Sequence, residues 1–250
     1  MSWNAVLSSY AKMKDPEREL PAGVLLNVNS ETLTIFDGYE KAKYHFLVLP
    51  RDPFPVEEGE KPIPSSLLDS LSTLLKSPQK LKVLKALEKQ ANTVKAMIQD
   101  EMRKEHGFVW NVNIGFHAVE SMKHVHLHVI SSDMISDRLK NKKHWNSFHP
   151  ELGFFLHLSD VIAGVESKTF ALKSTPQYES ILKQDLKSIY PPYKTFKNLP
   201  ELKKHLIEEF EKQKKRANKG EAKVSLAKKR ESEPLSGGEG ESRKKVPKVE

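Results

Sequence analysis

Apolar residues recur along this chain at two spacings, and each spacing predicts its own kind of element. Trp3, Val6, Leu7 and Tyr10 fall at helical spacing and predict a helix over Trp3–Met13. Gly23–Asn29 and Thr32–Phe36 read as short strands about a turn at Asn29–Glu31. Tyr44–Leu49, YHFLVL, predicts a third strand ended by Pro50. Residues 51–65 carry four prolines and a Glu-Glu-Gly-Glu stretch, so they read as a loop. Helical spacing returns over Ser66–Leu75 and Gln79–Lys104. Phe108–Phe116 and His124–Ile130 predict two further strands. Residues 154–212 read as a smaller helical appendage. Helix, strands, long helix, strands is the order of an α+β fold with an antiparallel sheet.

Composition adds boundaries. A 38% hydrophobic fraction supports a core but is low enough that some segment must be too polar to fold. That segment is expected at 214–250, which has no aromatic residue and reads as a disordered basic tail. It holds 12 basic and 6 acidic residues, which is most of the net +8. The body is nearly balanced, so its charge says little about its site. Lys214-Lys215-Arg216, Lys228-Lys229-Arg230 and Arg243-Lys244-Lys245 read as nuclear-localisation signals, phosphate-binding arms or a solvated linker. The chain has no cysteine, which excludes disulfides, thiolate zinc sites and a cysteine nucleophile. Neither a membrane span nor a secretory signal is legible, and a soluble intracellular protein is expected.

The chemistry concentrates in His124-Val125-His126-Leu127-His128-Val129-Ile130. On a strand, alternate residues share a face. Val125, Leu127 and Val129 would face the core, and His124, His126 and His128 would face away together. Imidazole serves near neutral pH as base, acid, nucleophile or ligand. One alternative is a zinc or iron site, which needs a further carboxylate or histidine nearby. The other is three hydrogen-bonded structural histidines.

HVHLHVI is similar to the signature of the histidine-triad (HIT) nucleotide hydrolases and transferases. Within them the chain resembles the aprataxins. Residues 39–50, YEKAKYHFLVLP, are similar to the first-half strand of that family, and Gly115-Phe116-His117-Ala118 leads into the triad as in that branch. Residues 139–148, LKNKKHWNSF, are the most branch-specific. Residues 202–206, LKKHL, resemble the helix of the family's C-terminal zinc finger.

The resemblance implies a HIT-like antiparallel sheet with flanking helices over residues 1–153. A zinc-finger-like, DNA-binding lobe over 154–213 and the basic tail over 214–250 would follow. It implies a DNA 5′-adenylate hydrolase that removes AMP from abortive ligation intermediates and leaves a repairable 5′-phosphate. His126 would be the nucleophile, forming a covalent AMP–histidine. His124 and His128 would flank it, and His117 would protonate the leaving phosphate. Asp37, His45, Ser121, Lys41 and Lys43 would line the nucleotide. Trp3, Arg138, Lys140, Lys142, Lys143, His144, Lys203 and Lys204 would face DNA, with Trp145 packed beneath a DNA-facing loop. The expected partner is nicked or broken DNA with 5′-adenylated ends, bound by a nuclear monomer. A general triad hydrolase of nucleoside phosphoramidates or dinucleoside polyphosphates, and a DNA-end binder without turnover, are the competing readings.

One departure stands out. The family's finger uses a Cys-x2-Cys pair, with a His and a Glu in fungal members. This chain keeps His205 and Glu209, but Tyr190 and Tyr193 occupy the cysteine positions. No catalytic cofactor is expected, and tight structural zinc is not expected. The lobe would rest on Tyr190, Tyr193, Phe196, Leu199, Leu202, Leu206 and Phe210, and Lys194 and Lys197 would add to its basic face. An N-terminal phosphopeptide-binding domain, carried by animal members, is expected to be absent, as in the compact fungal forms.

Overall fold

Alternating apolar residues in TLTIF and a continuous apolar run in HFLVLP build two neighbouring strands of a six-stranded sheet. The computed structural model describes residues 3–232. Its strands are β1 (Leu25–Val28), β2 (Thr32–Phe36), β3 (His45–Pro50), β4 (Val112–His117), β5 (Leu127–Ser131) and β6 (Phe155–His157). Their order is β1-β2-β3-β5-β4-β6, and every neighbouring pair is antiparallel. The sheet agrees with the fold class read from the sequence.

One face of the sheet is covered by the long helix α4 (Lys80–His106). Its buried stripe of Val83, Leu84, Leu87, Ala91, Val94, Ile98 and Met102 packs with Phe46, Val48, Leu127 and Val129. Burying one such side chain contributes about 1.5–3 kcal/mol before entropy is counted. Gln90 breaks the stripe. Its side-chain amide donates to Thr34 Oγ1 and Asn27 Oδ1 and accepts from Asn29, which ties α4 to β1 and β2. The helix stops at Gly107, whose φ of 73° is a left-handed conformation that glycine adopts without strain. Helix α6 (Leu158–Glu166) adds Leu158, Val161 and Ile162 to the same core.

The opposite face is covered in two pieces. A 3-10 turn (Trp3–Ala5) and α1 (Val6–Ala11) seat Leu7 over Leu33, Ile35, Leu47 and Leu49. At the β5-β4-β6 end, α5 (Lys142–Phe148) and the C-terminal elements pack Trp145, Phe148, Leu186, Leu202 and Leu206 with Ile130 and Phe155. The histidines lie on this face.

The structure departs from the sequence reading at several places. The helix expected over Ser66–Leu75 is a 3-10 turn (Ser65–Leu68) and a single turn, α3 (Leu71–Leu74). Ser70 separates them because its hydroxyl caps the Thr73 N–H. The strand expected from His124 begins at Leu127. Residue 154 is not a break in the fold, since Phe155–His157 is the sixth strand of the sheet. Beyond α7 (Thr175–Leu182), the strands β7 (Leu186–Lys187) and β8 (Thr195–Phe196) form a small hairpin. The final helix α8 runs from Leu199 to Ser232, so residues 214–232 of the expected disordered tail are helical. Lys, Ala, Arg and Glu dominate there and all favour helix. Arg243-Lys244-Lys245 lies outside the described residues. Among the described residues no helix is long and apolar enough to cross a membrane.

Candidate active site

Register brings the histidines together. Leu47 pairs with His128, and His45 with Ile130, so His45 and His128 sit diagonally on one face. Gly115 also pairs with His128, which puts His117, two residues further along β4, beside it. The rings of His117 and His128 are 4.4 Å apart. The ring of His126 stands 5.2 Å from that of His128 at a steep angle.

His124 does not share this arrangement. Its φ is 88°, and its backbone N–H donates to the Asp69 carbonyl rather than to a strand. Its ring is turned toward Pro50, with Nε2 2.7 Å from the carbonyl oxygen. The three-in-a-row face expected from alternation is therefore a pair, His126 and His128, joined by His117 and His45. His124 supports them from behind.

The hydrogen bonds assign the tautomers. A carbonyl oxygen only accepts, so the ring nitrogen facing it carries the proton. His126 Nδ1 lies 2.8 Å from the His124 carbonyl oxygen and is the donor. Its Nε2 keeps an unshared pair. His45 Nδ1 accepts from the Lys41 N–H, so its Nε2 carries the proton and donates to His128 Nδ1 at 3.0 Å. Asp37 Oδ2 is 3.4 Å from the same nitrogen. His128 must then be protonated on Nε2, and this atom is buried without a partner. His117 Nε2 is likewise buried and unpartnered. Buried polar atoms of this kind normally have a partner. Two such atoms beside a free imidazole lone pair describe a place for an anionic group.

Burial keeps the cluster neutral. It lowers His45 and His124 to about 4, and it lowers His126 below its usual value. His117 and His128 fall well below theirs, by burial first and then by the neighbouring imidazoles. Burial also lowers Lys41, whose amine donates to the Tyr39 carbonyl.

Two residues of the site went unassigned in the sequence. The Phe148 ring is 4.4 Å from that of His117 and 5.1 Å from those of His45 and His128. It is the apolar wall of the cluster. Its only signal was its place at the end of LKNKKHWNSF. Glu120 accepts from the Leu71 N–H, and its charge favours the protonated form of His126.

The other expected residues divide. Asp37 and Lys41 are at the cluster. Ser121 is exposed on the loop before His124, outside the hydrogen-bonded group. Lys43 is directed elsewhere, with its ammonium 5.6 Å from the Phe210 ring. The expected DNA-facing loop is mostly the helix α5, capped by Asn141. Trp145 is buried in it as expected and donates to the Lys187 carbonyl. Lys140 and Lys143 are exposed, and His144 is half-buried and bonded by Asn141 and the Lys140 N–H. Arg138 pairs with Glu40 and lies over Tyr39, and Lys142 pairs with Asp185. Trp3 is 67% exposed, so it is free to stack. Lys203 is mostly engaged internally, donating to the Ser136 carbonyl 3.0 Å away and pairing with Asp137. Lys204 is exposed. In the lobe, Tyr193 is exposed rather than packed, and Phe210 joins the main core against Trp110.

Comparison with known proteins places this geometry. The chain is 30% identical over 232 residues to an aprataxin-like protein of Saccharomyces cerevisiae, covering 84% of this chain and 97% of that one. The chain belongs to the aprataxin family. It is also 35% identical to the aprataxin of Gallus gallus, over 82% of this chain and 54% of that one. It spans about half the length of the animal aprataxins it matches. The fold is similar to that of the aprataxin ortholog Hnt3 crystallised in complex with DNA, with a TM-score of 0.64 and 23% identity over 86% of this chain and 98% of that one. Residues 62–144 match the family model "Scavenger mRNA decapping enzyme C-term binding". Residues 151–212 match "C2HE / C2H2 / C2HC zinc-binding finger".

The residues present do not fit the zinc which that aprataxin-type finger implies. Burial raises the Tyr190 phenol to about 12, which disfavours the phenolate that a zinc ion would need. Tyr193 is exposed, with Lys187 over its ring. Glu209 is paired with Lys212 at 2.8 Å, and His205 Nε2 is bonded to Ser188.

Proposed function

We propose that this chain hydrolyses DNA 5′-adenylates, releasing AMP and leaving a 5′-phosphate. The observation that carries the reading is the His126 tautomer. With Nδ1 held by the His124 carbonyl, Nε2 presents its lone pair beside two unpartnered imidazole nitrogens. A neutral imidazole attacks phosphorus, and a group that accepts a covalent bond splits one hard displacement into two.

In the first step His126 Nε2 bonds to the AMP phosphorus, and the bond from that phosphorus to the bridging oxygen of the DNA 5′-phosphate breaks. The leaving oxygen takes a proton from His117. Burial leaves His117 neutral in the free protein, but the anionic pyrophosphate raises its proton affinity on arrival. The acid is thus charged only when substrate is present. In the second step water attacks the same phosphorus, breaks the P–N bond and passes its proton to His117. AMP leaves and His126 is regenerated. The His128 Nε2–H donates to a phosphate oxygen throughout, and fixed donors of this kind stabilise the developing charge. Asp37 accepts from the ribose hydroxyls, with His45 beside it, and no metal takes part.

DNA is the proposed partner. Lys140, Lys143, Arg138 and Lys204 supply cationic side chains for the phosphate backbone, and Trp3 supplies a face for the terminal base pair. Action as a monomer in the nucleus, in strand-break repair, belongs to the same reading.

The test uses a nicked duplex carrying a 5′-adenylate, excess EDTA, and His126→Ala beside the parent. AMP release by the parent alone supports the proposal. Binding without release points to a DNA-end binder. Preferential turnover of adenosine phosphoramidate points to a general triad hydrolase.

A further inference from the structure

The finger-matching segment keeps a ββα arrangement while losing half of its metal donors. Hairpin β7–β8 carries Tyr190-Pro191-Pro192-Tyr193, and α8 carries His205 and Glu209. Tyr193 N–H donates back to the Tyr190 carbonyl, and Tyr193 has a φ of 60°, so the turn between the former cysteine positions is closed. We infer that this finger is fixed without a metal, with the Ser188 hydroxyl holding the His205 nitrogen that a zinc ion would take and the Tyr190 side chain filling the space of the thiolates.

Several independent contacts carry this. Ser188 is fully buried, and its Oγ is 2.8 Å from His205 Nε2. The same oxygen accepts from the Tyr190 N–H at 3.0 Å, and Ser188 N–H donates to the Lys194 carbonyl. Ser188 therefore ties both arms of the turn to the helix, its hydroxyl reaching Tyr190 and His205 and its backbone N–H reaching Lys194. The Phe196 ring lies 5.0 Å from His205 at a shallow angle and covers its other side. Tyr190 is half-buried, its ring 6.3 Å from that of His205. Leu202, one helical turn before His205, and Leu206, next to it in the chain, are buried in the cluster that includes Trp145 and Phe155. The finger thus has an apolar anchor on the sheet, which a small isolated zinc module lacks.

Purified full-length chain will hold zinc at well under one equivalent, by elemental analysis, and its melting temperature will not change with chelator. Stoichiometric zinc, or a chelator-dependent fall in melting temperature, overturns the inference. Ser188→Ala removes the linking hydroxyl, and a fall of the melting temperature by ~4–8 °C is expected from its two lost hydrogen bonds. No shift overturns the role assigned to Ser188. The double variant Tyr190→Cys with Tyr193→Cys restores two thiolates beside His205 and Glu209. It should bind one cobalt ion with the absorption of a tetrahedral thiolate site. A folded double variant, as judged by circular dichroism, that takes no cobalt overturns the placement of tyrosine in ligand positions.

Discussion

The Nδ1 of His126 lies 2.8 Å from the carbonyl oxygen of His124, and that single bond leaves Nε2 as the ring nitrogen with a free lone pair. Nitrogen-15 shifts of His126 at neutral pH should therefore show a protonated Nδ1 and a bare Nε2. The opposite tautomer would remove the Nε2 attack from the mechanism. Replacing His126 by Ala should lower AMP release by at least ~10³-fold, the scale on which losing a nucleophile acts.

Phe148 closes the cluster against water. Phe148→Ala should destabilise the fold by about 3–5 kcal/mol, as large-to-small changes at buried aromatics do. It should also admit water and let His117, the proton donor, titrate closer to its ordinary value, moving the alkaline limb of the rate profile to higher pH. Phe148→Leu keeps the apolar wall and should retain the parental limb. An unshifted limb in a folded Ala variant would assign Phe148 to packing alone.

Acid should weaken this protein in a defined window. His45 and His124 titrate at about 4 in the fold, because of burial, against about 6.5 in an unfolded chain. Between those values the unfolded state binds protons that the folded state refuses, so stability rises with pH there. It is therefore lost as pH falls from about 6.5 to about 4, and these groups are without effect above that window. Urea midpoints measured across it should fall steeply, and His124→Gln should flatten the slope. Equal slopes for parent and variant would remove His124 from the groups that drive the loss.

Gly115 is a packing requirement. A Cβ there would meet the Leu156 carbonyl oxygen and the Phe155 ring, both at 2.5 Å. Gly115→Ala should cost about 1–3 kcal/mol and displace β6 from β4. Because Gly115 faces His128 across the ladder, turnover should fall with stability. Thermal unfolding and AMP release measured together would expose a failure of either half.

Short apolar runs bounded by polar residues located the middle strands, which are buried on both faces, and helical spacing located α4, which packs one face on the core. Thr32–Phe36 appears as read, and Gln79–Lys104 differs from α4 by one residue at its start and two at its end. The histidine geometry was only half legible. His124 leaves the strand because the carbonyls of Leu68 and Asp69 take the N–H groups of Val125 and His124, a contact some 55 residues back that no local pattern reveals. Phe148 was hidden for the same reason, since its neighbours come from β3, β4 and β5. Lys43 points away from the histidines, since the motif gives its position along the chain but not the direction of its side chain.

Strand β6 has a consequence for the molecule as a whole. It comes from the segment that matches the zinc-binding finger, yet it pairs with β4, the strand that carries His117. Without it, the outer amides and carbonyls of β4 would form an open edge, the kind of surface on which chains stack into aggregates. The finger segment is thus the guard of the catalytic sheet as well as its neighbour. The two halves are tied by a shared strand, and neither could be exchanged for a foreign module unless the newcomer brought a strand of its own.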